Sequence, residues 1–247
     1  MNSHYYFSLI KFLKARIKKR EENWRHLLLD RKIRARRILK ALESRFEVPD
    51  PSEIVDDPFK VLVRTIISQS TAEVNTRRAY ENLSRKMLLT PKSLAEADVK
   101  EIEDALFVAG LYRNKSKTIK KVSQMIFQEF NGSLDFIYSK PLKEARERLL
   151  GLPGVGPKTA DIVLLFCAKR PVLPVDTHVN RVSKRLGLVP PEADYEKIRE
   201  ALQSLYLPEE YFKVHMLFIS LGREICRAGR PKHDECPVNH LCLSTHI

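Results

Sequence analysis

Leu149-Leu150-Gly151-Leu152-Pro153-Gly154-Val155-Gly156-Pro157-Lys158-Thr159-Ala160 joins two helical patterns through a turn carrying glycines at 154 and 156. The apolar positions that follow, Ala160, Val163, Leu164, Phe166 and Cys167, recur at helical spacing, so the turn feeds a helix N-terminus. Backbone N–H groups at such a junction point outward, the helix dipole is positive there, and glycine lets an anion approach closely. A phosphate site is one reading of these residues. A plain helix-to-helix turn, with glycine chosen for its backbone angles, is the other. Lys158 falls in the first helical turn, where the dipole disfavours a cation, which points to a role beside the turn. About four helical turns and a Pro-Val-Leu-Pro linker later comes Asp176, far enough along for the chain to return towards Lys158.

Composition frames this stretch. The chain has 247 residues, 43% of them hydrophobic, which is enough for one large core or two modest ones. Forty-four Lys and Arg against 31 Asp and Glu give a net charge of +13 and point to a polyanionic partner. Residues 1–48 hold 14 basic and 5 acidic side chains, a net +9. Leu9, Ile10, Leu13 and Ile17, then Ile33, Leu39 and Leu42, read there as two basic amphipathic helices. This N-terminal extension, residues 1–30, is either a nucleic-acid-contacting arm or a solvated helix on the body. No run reaches the roughly eighteen apolar residues of a membrane span, and Lys11 interrupts the only N-terminal apolar patch, so an intracellular protein is expected.

Further helical patterns fall near 59–68, 72–86, 92–96, 99–107, 115–130, 141–150, 179–186, 195–205 and 211–222, with Pro, Gly and Asn-Gly breaks between them. Eight glycines and no sustained period-two alternation predict an all-α chain. Of four cysteines, Cys167 reads as core, while Cys226, Cys236 and Cys242 crowd near the C-terminus with His233 among them, a metal-site spacing.

Leu152-Pro153-Gly154-Val155-Gly156-Pro157-Lys158-Thr159-Ala160, followed by Pro174-Val175-Asp176-Thr177-His178, resembles the helix-hairpin-helix signature of the endonuclease III family of DNA glycosylases. Similar patterns occur in Ile66-Ile67-Ser68-Gln69-Ser70-Thr71, in Ala109-Gly110-Leu111-Tyr112-Arg113-Asn114-Lys115 and in the cysteine cluster, so the resemblance covers residues 31–247 in the family's order. It implies two helical lobes flanking a DNA-binding cleft: a six-helix barrel over 55–170, and a second lobe from 31–54 plus 171–247. Lys158 matches the family's nucleophile and Asp176 its carboxylate. Gln69 matches the glutamine that enters the vacated base stack, Leu111 the apolar wedge, and Leu152, Gly154, Val155 and Gly156 the DNA-binding hairpin. His178 either contacts the flipped nucleotide or caps a helix.

The implied activity is bifunctional, base removal with abasic-site cleavage, on oxidised pyrimidines in duplex DNA. A mismatched thymine, an alkylated base or an oxidised guanine are alternative lesions. A non-catalytic helix-hairpin-helix DNA-binding protein is the alternative from another class; it would not need Lys158 and Asp176. The implied partner is duplex DNA with damaged bases or abasic sites, with no membrane, and the implied state is a monomer in the cytoplasm at the nucleoid. For the C-terminal loop the resemblance implies a 4Fe-4S cluster on four cysteines spaced x6, x2 and x5. Here the spacings are kept with His233 in the second position, so the ligand set is Cys226, His233, Cys236 and Cys242. Cys3His is also a zinc set, and an empty loop is the third option.

Overall fold

The computed structural model describes residues 30–51 and 57–244, so the first of the two N-terminal amphipathic helices lies outside the described residues. Among those described, every regular element is helical. Residues 30–43 form α1; α2 (Pro58–Ser68), α3 (Glu73–Lys86), α4 (Pro91–Glu96), α5 (Val99–Leu106), α6 (Tyr112–Glu129), α7 (Phe136–Ser139), α8 (Leu142–Leu150), α9 (Pro157–Phe166), α10 (Thr177–Arg185), α11 (Tyr195–Leu205) and α12 (Tyr211–Glu224) follow. Starts are set by local chemistry. Asp57, Thr90, Asp98 and Asp194 each accept a backbone N–H of the helix they precede, and proline occupies the first turn of α2, α4 and α9.

Two compact units result. The first, residues 49–176, is built around the 18-residue α6, on which α2, α4 and α5 pack, while α9 lies on both α2 and α8. Its core is aliphatic: Leu62, Ile66, Ile67, Leu83, Leu94, Ile102, Leu106, Ile119 and Ile126 are all fully buried. The second joins described residues 30–48 to 177–244. There the Arg34 guanidinium donates to the carbonyls of Leu186 and Gly187 at 2.8 and 2.6 Å, and the Tyr206 hydroxyl reaches the Ala35 carbonyl, so α1 docks on chain more than 150 residues away.

Three details depart from the sequence reading. Residues 49–51 and 171–176 fall with the hairpin-bearing unit, because Lys169 donates to the Pro51 carbonyl at 2.6 Å and Val172, Leu173 and Val175 are buried. Ile33 is 52% exposed, while Leu39 and Leu42, read on the same stripe, are buried together with Ala35 and Ile38. Cys167 is not core: α9 ends at Phe166, and Cys167 caps it half-exposed.

Candidate functional site

The glycine turn connects α8 to α9, and a buried ion pair fixes the two helices against each other. Asp161, with no solvent exposure, accepts from Arg146 Nε at 2.6 Å and Nη2 at 3.2 Å. This bidentate pair is the strong form of the interaction, and the sequence does carry its signal, an acid set inside the apolar face of α9. Sequence reasoning missed it.

Within the turn the two glycines have different reasons to be there. Gly154 has φ +75°, and a Cβ at that position would sit 2.2 Å from Thr118 Cγ2 on α6, so both conformation and space demand glycine. Gly156 has an ordinary φ of −93° and nothing within 4 Å of a hypothetical Cβ. The protein's own packing gives it no reason to be glycine, which leaves room for something outside the chain. Leu152 and Val155 are 2% and 6% exposed, so their side chains are core, and only backbone is left for a ligand to touch. Gly156 is also the N-cap of α9 and supplies no side chain to cap it. Immediately beyond, Lys158 is exposed and forms no hydrogen bond or ion pair among the described residues.

Gln69 and Leu111 stand beside this turn. Exposed Gln69, the residue that ends α2, donates from Nε2 to the Gly154 carbonyl at 3.2 Å. Leu111 precedes α6 with φ +59° and is 63% exposed. A leucine in the left-handed region costs roughly 1–2 kcal/mol, and presenting its side chain to water forgoes burial as well. Ser70, next to Gln69, is also left-handed at φ +51°. Ser70 and Leu111 thus put two left-handed non-glycine residues close together on one surface. The turns approach each other closely: a Cβ on Gly110 would lie 3.4 Å from the Ser70 carbonyl. Between them lies Lys115, only 4% exposed, with its ammonium bonded to Thr71 Oγ1 and its pKa lowered by burial. Its signal was again legible, a lysine on the buried stripe of α6 with Ser116, Ile119 and Val122.

Asp176 is half-buried and is the last residue of the same unit, directly ahead of α10. His178 belongs to the other unit, on α10. Its Nδ1 lies 3.1 Å from Arg181 Nη2, and its ring is pressed on Gly222, where an added Cβ would come within 2.9 Å of it. The structure thus holds His178 within its own unit by packing.

In that second unit Cys226, His233, Cys236 and Cys242 line one cavity with Leu221, Ile225 and Val238. Arg185 organises it: its guanidinium donates to the carbonyls of Arg227 and Ala228 at 2.7 and 2.8 Å and to Cys226 Sγ at 3.5 Å, and its carbonyl accepts from Cys242 Sγ at 3.3 Å. Burial raises the Cys236 thiol pKa, and the neighbouring Cys242 and Cys226 push it the same way against the Val238 N–H. Three thiols near enough to sense one another, plus an imidazole, fit an iron–sulfur group. Among the described residues, no three His, Cys, Asp or Glu converge as the ligands of a single metal ion would. Arg227, Arg230 and Lys232 are exposed on the same loop, and no described helix is long and apolar enough to cross a membrane.

Comparison with known proteins agrees with this architecture. Residues 63–208 match the HhH-GPD superfamily of base excision DNA repair proteins, and residues 226–242 match the iron-sulfur binding domain of endonuclease III. Endonuclease III of Thermotoga maritima is 37% identical over 187 residues, which is 75% of this chain and 83% of that protein. Endonuclease III of Sulfolobus acidocaldarius is 32% identical over 74% of this chain and 81% of its own. Among solved structures, a trapped endonuclease III–DNA covalent intermediate superposes with a TM-score of 0.77 at 30% identity, covering 87% of this chain and 97% of the other. A thermostable thymine-DNA glycosylase shares the fold at 20% identity and a TM-score of 0.73. With the glycine turn between α8 and α9 and the iron–sulfur binding loop in place, the chain belongs to the endonuclease III family of HhH-GPD base excision repair enzymes, which are DNA glycosylases and abasic-site lyases.

Proposed function

We propose that this enzyme removes oxidised pyrimidines from duplex DNA and then cuts the strand, with Lys158 as nucleophile and Asp176 as its carboxylate partner. The observation that carries the reading is the exposed Lys158 at the start of α9, directly beyond a turn whose Gly156 leaves space and backbone donors for a phosphate. A base inside a duplex is out of reach, so the nucleotide must leave the stack, and Gln69 and Leu111 fill the gap. The neutral Lys158 amine attacks the sugar C1′, the C1′–N bond to the base breaks, and the base departs as a protonated leaving group. The C1′–O4′ bond then opens, with a proton passing from the nitrogen to O4′, and leaves a Schiff base that acidifies the C2′ proton; its loss breaks the C3′–O bond and expels the 3′ phosphate, and water then frees the lysine. Asp176 takes a proton from the Lys158 ammonium, leaving the neutral amine that attacks, and stabilises positive charge on the sugar.

A panel of duplexes, each with one defined lesion, tests the substrate class. Base release and strand scission on oxidised pyrimidines at rates at least about tenfold above those on mismatched thymine, alkylated bases or oxidised guanine are expected. Preference for one of the others would reassign the lesion, and binding with no turnover on any would make the protein a binding module.

For the C-terminal loop the reading is a 4Fe-4S cluster held by Cys226, His233, Cys236 and Cys242. The four donors around one cavity suit a group larger than a single ion. A cluster held by these four residues would leave Arg227, Arg230 and Lys232 exposed on the same loop, where their charge suits the phosphate backbone. A neutral imidazole in place of a thiolate removes one negative charge, which raises the reduction potential. Protein purified without air should be yellow-brown and carry about four irons per chain. His233→Cys should keep the cluster longer in air, and Cys236→Ser should lose it. A colourless protein with one zinc, or with none, overturns the assignment.

A further inference from the structure

We propose that Lys115 is a positioning residue, a buried latch that locks Gln69 and Leu111 into one preformed probe of the DNA stack. The inference rests on the reading that these two residues enter the duplex, and it adds what holds them there.

The connections run through both ends of Lys115. Its backbone N–H donates to the Leu111 carbonyl at 3.1 Å, closing the first turn of α6 on the left-handed leucine. Its side chain crosses to the other turn, where the ammonium donates to Thr71 Oγ1, and that hydroxyl in turn donates to the Gln69 carbonyl at 3.3 Å. One residue is therefore bonded to Leu111 directly and to Gln69 through a single hydroxyl. Left-handed Ser70 and Leu111 persist only if their surroundings overdetermine them, and the latch together with the close approach of Gly110 to Ser70 does so. Burying an ammonium is costly, and a methionine or leucine would fill the same space without that cost. A lysine retained there does a job that packing alone does not require. Preorganisation is that job: two turns fixed before DNA arrives need not be ordered on binding.

The test compares affinity for a duplex containing a tetrahydrofuran abasic analogue with affinity for the same undamaged duplex at one salt concentration. 2-Aminopurine beside the analogue reports unstacking. Lys115→Met and Thr71→Val should each lower the abasic-to-undamaged affinity ratio about tenfold and reduce the fluorescence rise, with undamaged-duplex affinity within about threefold of wild type. The double variant should be no worse than Lys115→Met, because both break one connection. Thr71→Val changes a half-exposed turn residue and keeps the test open if Lys115→Met fails to fold. Gln69→Ala and Leu111→Ala serve as references. If they lower the ratio and the latch variants leave it unchanged, or lower both affinities equally, the latch is wrong. If the references themselves change nothing, the reading of Gln69 and Leu111 as probes falls, and the latch with it.

Discussion

Lys158→Ala is expected to abolish the covalent protein–DNA adduct that borohydride traps during turnover on a damaged or abasic duplex. Borohydride makes the protein–DNA bond permanent only by reducing a Schiff base, so the adduct reports the amine that attacked C1′. Removal of this side chain should not disturb folding. Lys158 is exposed, lies in the first turn of α9 and engages no partner among the described residues, so a surface change there should move stability by no more than about 0.5 kcal/mol. Removing a cation from a helix N-terminus is, if anything, mildly favourable. Loss of the adduct with unchanged thermal midpoint and near-normal binding to an abasic analogue is therefore the expected combination. An undiminished adduct would mean that another amine attacks, and the Lys158 assignment would be lost.

The helices were legible because their signals are local. Asp57-Pro58, Thr90-Pro91 and Asp98 mark starts by capping chemistry, and apolar spacing then runs each helix to its end. Placing the buried face of α1 was harder. Ile33 fits a helical spacing with Leu39 and Leu42 yet is exposed, and the docking of Arg34 on Leu186 and Gly187 shows which side faces inward. At the site, the residues that touch solvent were readable as motifs, Gln69, Leu111, Gly154, Gly156 and Lys158. The partners of two buried charges behind them were not. Asp161 and Lys115 are buried within apolar helical faces, and a sequence shows such a charge without naming its partner, which lies 15 residues away for Asp161 and 44 for Lys115. Leu152 and Val155 failed differently. They belong to a hairpin motif, yet their side chains serve the core and only their backbone faces outward.

Asp176→Asn should slow single-turnover base removal by about 10² or more while leaving DNA binding within a few fold. The substitution keeps the shape, deletes the negative charge and turns one acceptor oxygen into an amide donor. Asp176 directly precedes Thr177, the first residue of α10, where asparagine serves a helix start as well as aspartate does, so the helix should form as before. Two steps then suffer together. The lysine loses the base that takes its proton, and the sugar loses the anion that stabilises its positive charge as the bond to the base breaks. Strand cleavage from a preformed abasic site should fall less, since no glycosidic bond remains to be broken and only the proton transfers are affected. Measured rates on a damaged base and on an abasic site in the same duplex therefore separate the two contributions. Near-normal base removal by Asp176→Asn would show that the carboxylate acts on neither, and the pairing of Asp176 with Lys158 would have to be given up.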